Sequence, residues 1–255
     1  MIIDIHAHIR CNPSDQAAEE TALLQDMERN GIGFRVVSAL NGWDYDEGNA
    51  YVSEFVSRYP DVLLGCAVVN AKRRDAARAA EQALSLPGMG MLELNSLEDG
   101  YYPDTCSGVE EVLEVAERHG VPVKVFCGIG SRSMPQQWMG HVRRHPNIPF
   151  VFLHMGCFDY GYGCIDLANE VDNLYLETSN QYEMQILRKA VNVAPERRLV
   201  FGSMWPERLT KCSLDVFETV GVDEAFRRRT FEDNGAVLVQ QAREAAACAQ
   251  KEVCA

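Results

Sequence analysis

Nine cysteines occur in the sequence, but no C-x-x-C pair stands among them, so a zinc ribbon or a dithiol redox motif has no support. No Gly-x-Gly-x-x-Gly follows any apolar segment, which leaves a dinucleotide-binding fold without its fingerprint. No apolar run approaches the roughly 18 residues that a membrane-spanning helix needs. The opening Met1-Ile2-Ile3-Asp4-Ile5-His6 lacks the basic start and long apolar stretch of a secretory signal. Positive charge is also scarce: 24 Lys and Arg face 37 Asp and Glu, for a net charge of -13. That balance argues against nucleic acid or an anionic membrane as a partner, because both require a positive footprint. The expectations are free thiols in a reducing cytoplasm and a small-molecule substrate, with a homo-oligomer left open.

The 255 residues, 47% of them hydrophobic, match the length of about 250 that one eight-stranded α/β barrel requires. Short apolar strands alternate with amphipathic helices throughout. Strands are predicted at Ile2–His6, Phe34–Leu40, Val62–Val69, Met89–Leu94, Pro122–Cys127, Pro149–Met155, Leu174–Thr178 and Arg198–Ser203. Helices are predicted between them at Ala17–Asn30, Asn49–Tyr59, Arg74–Leu84, Val109–His119, Met134–Arg144, Ile165–Val171 and Glu183–Val193, with two or three more closing the chain. Gly or Pro punctuates several helix ends, as in Asn30-Gly31, Tyr59-Pro60 and His119-Gly120. Eight strand-then-helix units predict an α/β fold, a single (β/α)8 TIM barrel over residues 1–255 with C-terminal helices.

Side chains alternate faces along a strand, so Asp4, His6 and His8 are expected on one face, the barrel interior. At the C-terminal end of a barrel strand, where catalytic groups collect, two imidazoles spaced two apart can chelate one metal ion. Two core histidines satisfied by hydrogen bonds are the structural alternative. His154 ends the sixth strand at the same rim. It could serve as a metal ligand or as a general acid or base, since its ordinary pKa lies near neutrality. His119, His141 and His145 fall on helices or at their ends and are expected to face solvent or to cap.

Asp4-Ile5-His6-Ala7-His8, Phe152-Leu153-His154-Met155-Gly156, Leu174-Tyr175-Leu176-Glu177-Thr178-Ser179 and Phe201-Gly202-Ser203-Met204-Trp205-Pro206 occur in an order that resembles the amidohydrolase-2 family. That family comprises metal-dependent hydrolases and decarboxylases related to aminocarboxymuconate semialdehyde decarboxylase. The resemblance covers nearly the whole chain. It implies one divalent ion, commonly zinc, held by His6 and His8. It also implies further histidines on strands five and six and an aspartate on strand eight, which would activate a metal-bound water or polarise a substrate.

Two positions depart from that pattern. Phe126 stands where the strand-five histidine belongs, and Met204 stands where the strand-eight aspartate belongs. Phenylalanine cannot ligate, and a thioether suits zinc poorly and cannot act as a base. Glu93, near the end of strand four, is a candidate metal ligand, a salt-bridge partner of Lys124 or a rim residue; a buried carboxylate needs a cation or a partner. Lys124 shares a face with Phe126 by the strand period. If both point inward, Lys124 pairs with Glu93 or helps to bind substrate; if the phase is shifted, Cys127 faces the mouth instead, where its thiolate could bind zinc. Glu177 is a candidate general base or an internal hydrogen-bond acceptor. Arg10 could anchor a substrate carboxylate or be an ordinary surface residue. Trp205 and Trp43 could wall an apolar substrate or merely pack loops.

The expected metal site is therefore His6, His8, Glu93 and His154, the catalytic pair His154 and Glu177, and the substrate contacts Arg10, Lys124 and Trp205. Hydrolysis of a small ester, lactone or amide by a metal-activated water is the principal reading. Decarboxylation of a small unsaturated or aromatic acid is the second. A degenerate barrel that binds a small molecule without turnover is the third, motivated by Phe126 and Met204.

Overall fold

A computed structural model describes residues 1–11, 14–40 and 44–253. Trp43 lies outside the described residues. The chain forms β1 (Ile2–Ile9), α1 (Gln16–Asn30), β2 (Ile32–Ala39), α2 (Tyr45–Ser57), β3 (Leu63–Val68), α3 (Ala76–Leu84) and β4 (Met89–Leu94). Then follow α4 (Ser96–Asp99), α5 (Ser107–His119), β5 (Val123–Phe126), α6 (Pro135–Arg144), β6 (Phe150–Leu153), α7 (Cys157–Leu167) and β7 (Leu174–Glu177). The remainder comprises α8 (Met184–Val193), β8 (Leu199–Val200), α9 (Thr210–Val220), α10 (Glu224–Arg228) and α11 (Asn234–Val253).

All strands pair in parallel, in sequence order from β1 to β8. Backbone hydrogen bonds then close the ring: Ile5 N donates to Phe201 O, Met204 N to His6 O and His8 N to Trp205 O. The result is a TIM barrel. No helix among the described residues is long and apolar enough to cross a membrane.

Periodicity explains the two apolar layers. Ile3, Ile5, Phe34, Val36, Leu64, Cys66, Met91, Val151, Leu153 and Val200 fill the barrel interior, joined by Leu238, Val239 and Ala242 of α11. The last helix thus plugs the N-terminal end of the barrel. Alternate strand residues such as Val37, Leu92, Val125, Phe152 and Leu176 pack outward among the helices. Full burial of each such side chain contributes about 1.5–3 kcal/mol, and this apolar body is the foundation for a polar layer above it.

Several boundaries differ from expectation. α7 covers Cys157–Leu167, eight residues ahead of the predicted helix start, because Gly161 and Gly163 obscure its apolar period. β8 is only two residues long. The following Phe201–Trp205 segment completes the barrel by irregular bonds to β1 rather than as a strand. The short α4 was not anticipated.

Asp4 requires a correction. It does not share the interior face with His6 and His8, because the β1–β2 register shifts between Asp4 and Ala7. This bulge lets Ile3 and Ile5, and then His6 and His8, all turn inward. Asp4 points into the helix layer, where its carboxylate meets Arg35 Nε at 2.9 Å. Arg35 continues to Asp26 of α1 and Thr210 of α9. Asp4 also accepts from Ser203 N and Oγ, which ties the start of β1 to the chain after β8.

His141 and His145 are likewise corrected: both are buried rather than solvent-facing. Each meets Glu110, and His145 also meets Glu117, at 2.8–3.0 Å. His119 reaches Glu81 at 2.6 Å. These carboxylates lie on neighbouring helices, a pairing invisible to a reading of one helix at a time. The eight described cysteines are free.

Candidate active site

Above the apolar plug, the inward positions of five strands and the turns after β6 and β7 become polar together. β1 supplies His6 and His8, β2 Ser38, β4 Glu93, β5 Lys124 and Phe126, the turn after β6 His154, and β7 Glu177, with Ser179 just beyond. All of these except Phe126 are buried. They occupy the C-terminal ends of the strands, the catalytic end of this fold. A cavity of about 440 Å³ lined by Tyr175, Arg197, Arg198 and Asn234 lies at the opposite, N-terminal end, away from this chemistry.

Lys124 points inward. Its ammonium lies 2.9 Å from Glu93 Oε2 and 3.3 Å from His6 Nδ1. Ser38 Oγ donates to the same Glu93 oxygen at 2.9 Å. Burial by itself would raise the Glu93 pKa, but the Lys124 ammonium and the neighbouring histidines hold it well below the usual range. Burial alone would likewise lower Lys124, yet Cys66 and Glu93 push it up to about 12. The pair is therefore ionised and internally neutralised. Of the two sequence alternatives the inward phase holds, and Cys127 is buried in the helix layer, away from the mouth.

This contact also sets the His6 tautomer. An ammonium only donates, so His6 Nδ1 must accept and Nε2 must carry the ring proton. Burial and the Lys124 charge together keep His6 neutral, its pKa well below 6.5. His8 differs: Nε2 lies 3.6 Å from Glu93 Oε1 and Nδ1 lies 3.3 Å from Glu207 Oε2. Although burial opposes protonation, Glu207 and Glu93 lift its pKa to about 9. Glu207 was missed from the sequence; its only signal is an acidic residue just after the proline that follows β8.

His154 belongs to a second chain of contacts. Its Nδ1 lies 2.9 Å from Ser179 Oγ, and Ser179 Oγ donates to Glu177 Oε2 at 2.8 Å. Glu177 Oε2 also accepts from His154 N at 3.0 Å, and its Oε1 accepts from Ser179 N. Since the hydroxyl spends its proton on Glu177, Ser179 accepts from His154 Nδ1–H. Nε2 is left with its lone pair, buried and without a partner among the described residues. Burial lowers the His154 pKa to about 4 and raises Glu177 to about 7, against the hydrogen bonds it accepts. Glu177 is thus linked to His154 through Ser179, and both its oxygens accept hydrogen bonds within this chain of contacts.

The His154 ring lies 5.3 Å from His6 and 5.2 Å from Phe126. His154 itself adopts a left-handed φ of 61°, as do Met155, Cys157, Asn180 and Met204 after β6, β7 and β8. Such backbone is costly for non-glycine residues and collects at functional sites. Gly202 permits the arrangement, because a Cβ there would collide with the Glu177 carboxylate.

Two candidate substrate contacts are not brought to this cluster. Arg10 is exposed and, among the described residues, reaches toward Glu19 at 3.8 Å. Trp205 stacks on the Arg35 guanidinium, 5.7 Å from the ring centre, and is partly buried against the core.

Two groups of donors lie within reach of one divalent ion, His6–His8–Glu93 and His6–His154–Glu177. Each is obstructed. In the first, the Lys124 ammonium already bridges His6 and Glu93. In the second, both Glu177 oxygens accept internal hydrogen bonds. Phe126 and Met204 add no donor, so neither group fits a divalent ion in the manner the resemblance implies.

The sequence pattern of a family described as amidohydrolase matches residues 3–239. No curated protein matches the chain. Among solved structures, an uncharacterised TIM-barrel protein from Bordetella bronchiseptica superposes with a TM-score of 0.78 at 19% identity, over 95% of this chain and 99% of that one. A dihydroxybenzoic acid decarboxylase from Polaromonas sp. JS666, with bound manganese and 2-nitroresorcinol, gives 0.73 at 18%, over 94% and 96%. A probable 2-pyrone-4,6-dicarboxylic acid hydrolase from Acinetobacter baumannii, with bound citric acid, gives 0.71 at 16%, over 94% and 99%.

Proposed function

The chain belongs to the amidohydrolase family of enzymes, and from that premise we propose that it hydrolyses a small ester, lactone or amide at this mouth. The observation that carries the reading is the buried lone pair of His154 Nε2, without a partner among the described residues, on a ring 5.3 Å from that of His6. His154 takes a proton from water as the water oxygen bonds to the carbonyl carbon, Ser179 and Glu177 steady the imidazolium that forms, and His154 returns that proton to the leaving oxygen or nitrogen as the acyl bond breaks. The His6 Nε2–H and the His8 ring are donors for the carbonyl oxygen as negative charge develops there. The Phe126 ring packs edge-on against the base. Zinc, the ion implied by the resemblance, would have to displace Lys124 from His6 and Glu93.

Decarboxylation of a small unsaturated or aromatic acid is the second reading, favoured by His8, whose raised pKa provides a cation for a substrate carboxylate. The test is a panel of esters, lactones, amides and unsaturated acids, assayed for acid release and for carbon dioxide. Hydrolysis that is lost in His154→Gln supports the proposal. Carbon dioxide release without hydrolysis selects the second reading, and no turnover on any compound counts against both.

A further inference from the structure

Resting on the reading of this mouth as the active site, we infer that the Lys124 ammonium is its resident cation: it takes the place of a divalent metal between His6 and Glu93 and positions His6 as a hydrogen-bond donor. Nζ contacts two of the three side chains that converge as an ion site, at 2.9 Å from Glu93 Oε2 and 3.3 Å from His6 Nδ1. Those two atoms are themselves 3.8 Å apart. An ion bonded to both at about 2.1 Å could sit no farther than roughly 3.4 Å from Nζ. Like charges at that separation in a buried site repel strongly, so the ammonium and the ion exclude each other.

The rest of the chain is consistent with a built-in cation. Lys124 is fully buried, and a lysine in such a place needs a carboxylate, which Glu93 supplies with Ser38 bracing the same oxygen. An ion that avoided Nδ1 and Oε2 would need His6 Nε2, which carries the ring proton while Lys124 donates to Nδ1; without it His8 and Glu93 leave two protein ligands, below the three or four that zinc sites use, and neither Phe126 nor Met204 can add one. Both departures from the family pattern lie at ligand positions, and both are tolerable if no ion needs them. In this arrangement Lys124 acts through His6. It is a positioning residue, whose donation to Nδ1 makes His6 present Nε2–H to the mouth; a metal bound at Nδ1 would break that contact.

Zinc titration of the purified chain, without any substrate, tests this independently of turnover. The wild type is expected to retain less than about a tenth of an equivalent after gel filtration. Lys124→Met frees both donors and is expected to bind about one equivalent, at least about 100-fold more tightly. Stoichiometric zinc on the wild type, or no gain in a folded Lys124→Met, overturns the inference. Should Lys124→Met be insoluble, nitrogen NMR of the wild-type imidazoles decides: His6 protonated at Nε2 and unmoved by zinc or chelator supports it, and a zinc-dependent His6 shift overturns it. An inactive wild type that still shows this zinc behaviour would remove the hydrolytic reading and leave the resident cation standing.

Discussion

His154 Nδ1 lies 2.9 Å from Ser179 Oγ, and this contact reserves the opposite ring nitrogen for chemistry. With Ser179 donating onward to Glu177, the imidazole has only one tautomer that satisfies every donor. Replacing His154 by Gln removes the lone pair and is expected to lower kcat by about 10²–10⁴-fold. Ser179→Ala is expected to lower kcat less, with KM nearly unchanged. Burial holds the His154 pKa at about 4 and raises that of Glu177, which steadies the imidazolium, to about 7, so kcat/KM is expected to fall partially through about 7 and fully only as about 4 is approached. A single, complete acid limb near the ordinary 6.5 that persists in Glu177→Gln would contradict this assignment.

Gly202 faces Glu177 so closely that a methyl group has no room. Gly202→Ala is expected to destabilise the fold by about 1–3 kcal/mol, in line with overpacking, and to disturb the His154 relay as well. Urea denaturation measures the first effect and kcat the second. Unchanged values for both would mean that the Glu177 side chain has freedom the packing denies it.

Asp4 and Arg35 are fully buried and 2.9 Å apart. Removing one partner, as in Arg35→Met, leaves a charge stranded and is expected to cost about 3–5 kcal/mol. The double change Asp4→Leu with Arg35→Met should cost less than the single one. Equilibrium denaturation of the wild type, Arg35→Met, Asp4→Leu and the double variant decides, and simple additivity would sink the claim of coupling.

Glu110 anchors the buried helix-layer histidines. Hydrogen bonding by Arg144, with His145 and His141 adding to it against partial burial, lowers its pKa from 4.5 to about 2. A depressed carboxylate contributes stability that is fully present above its unfolded pKa and is lost as pH falls through the folded one. Unfolding free energy is therefore expected to decline between about pH 4.5 and 2, and Glu110→Gln should flatten that decline. Its side chain is about a third exposed, so solvent screening keeps the effect modest. Parallel pH curves for the two proteins would refute it.

Most of the architecture was legible because its signals are local. Strand and helix periods, Gly and Pro punctuation and chain length point to an eight-unit barrel without any contact information. The glycine-interrupted α7 and the two-residue β8 escaped, since neither carries a period long enough to read. At the site, His6, His8, Glu93, Lys124, His154 and Glu177 were all nominated from strand position and chemistry. Arg10 and Trp205 were nominated too, and their side chains went elsewhere, because loop conformation is not written in a two-residue period. Ser179 and Glu207 acquired importance only through neighbours distant in sequence.

The residue types at the ends of the strands determined by themselves that imidazoles, a carboxylate and an amine would meet at one rim, because a parallel barrel gathers its strand ends whatever the details. Only the tertiary structure decided how they share protons and charge. A one-residue bulge in β1 sent Asp4 outward while keeping both histidines inward. The inward phase of β5 set the Lys124 ammonium between His6 and Glu93. Such outcomes depend on register and on distances of a few ångströms between strands, quantities that side-chain alternation along one strand does not contain.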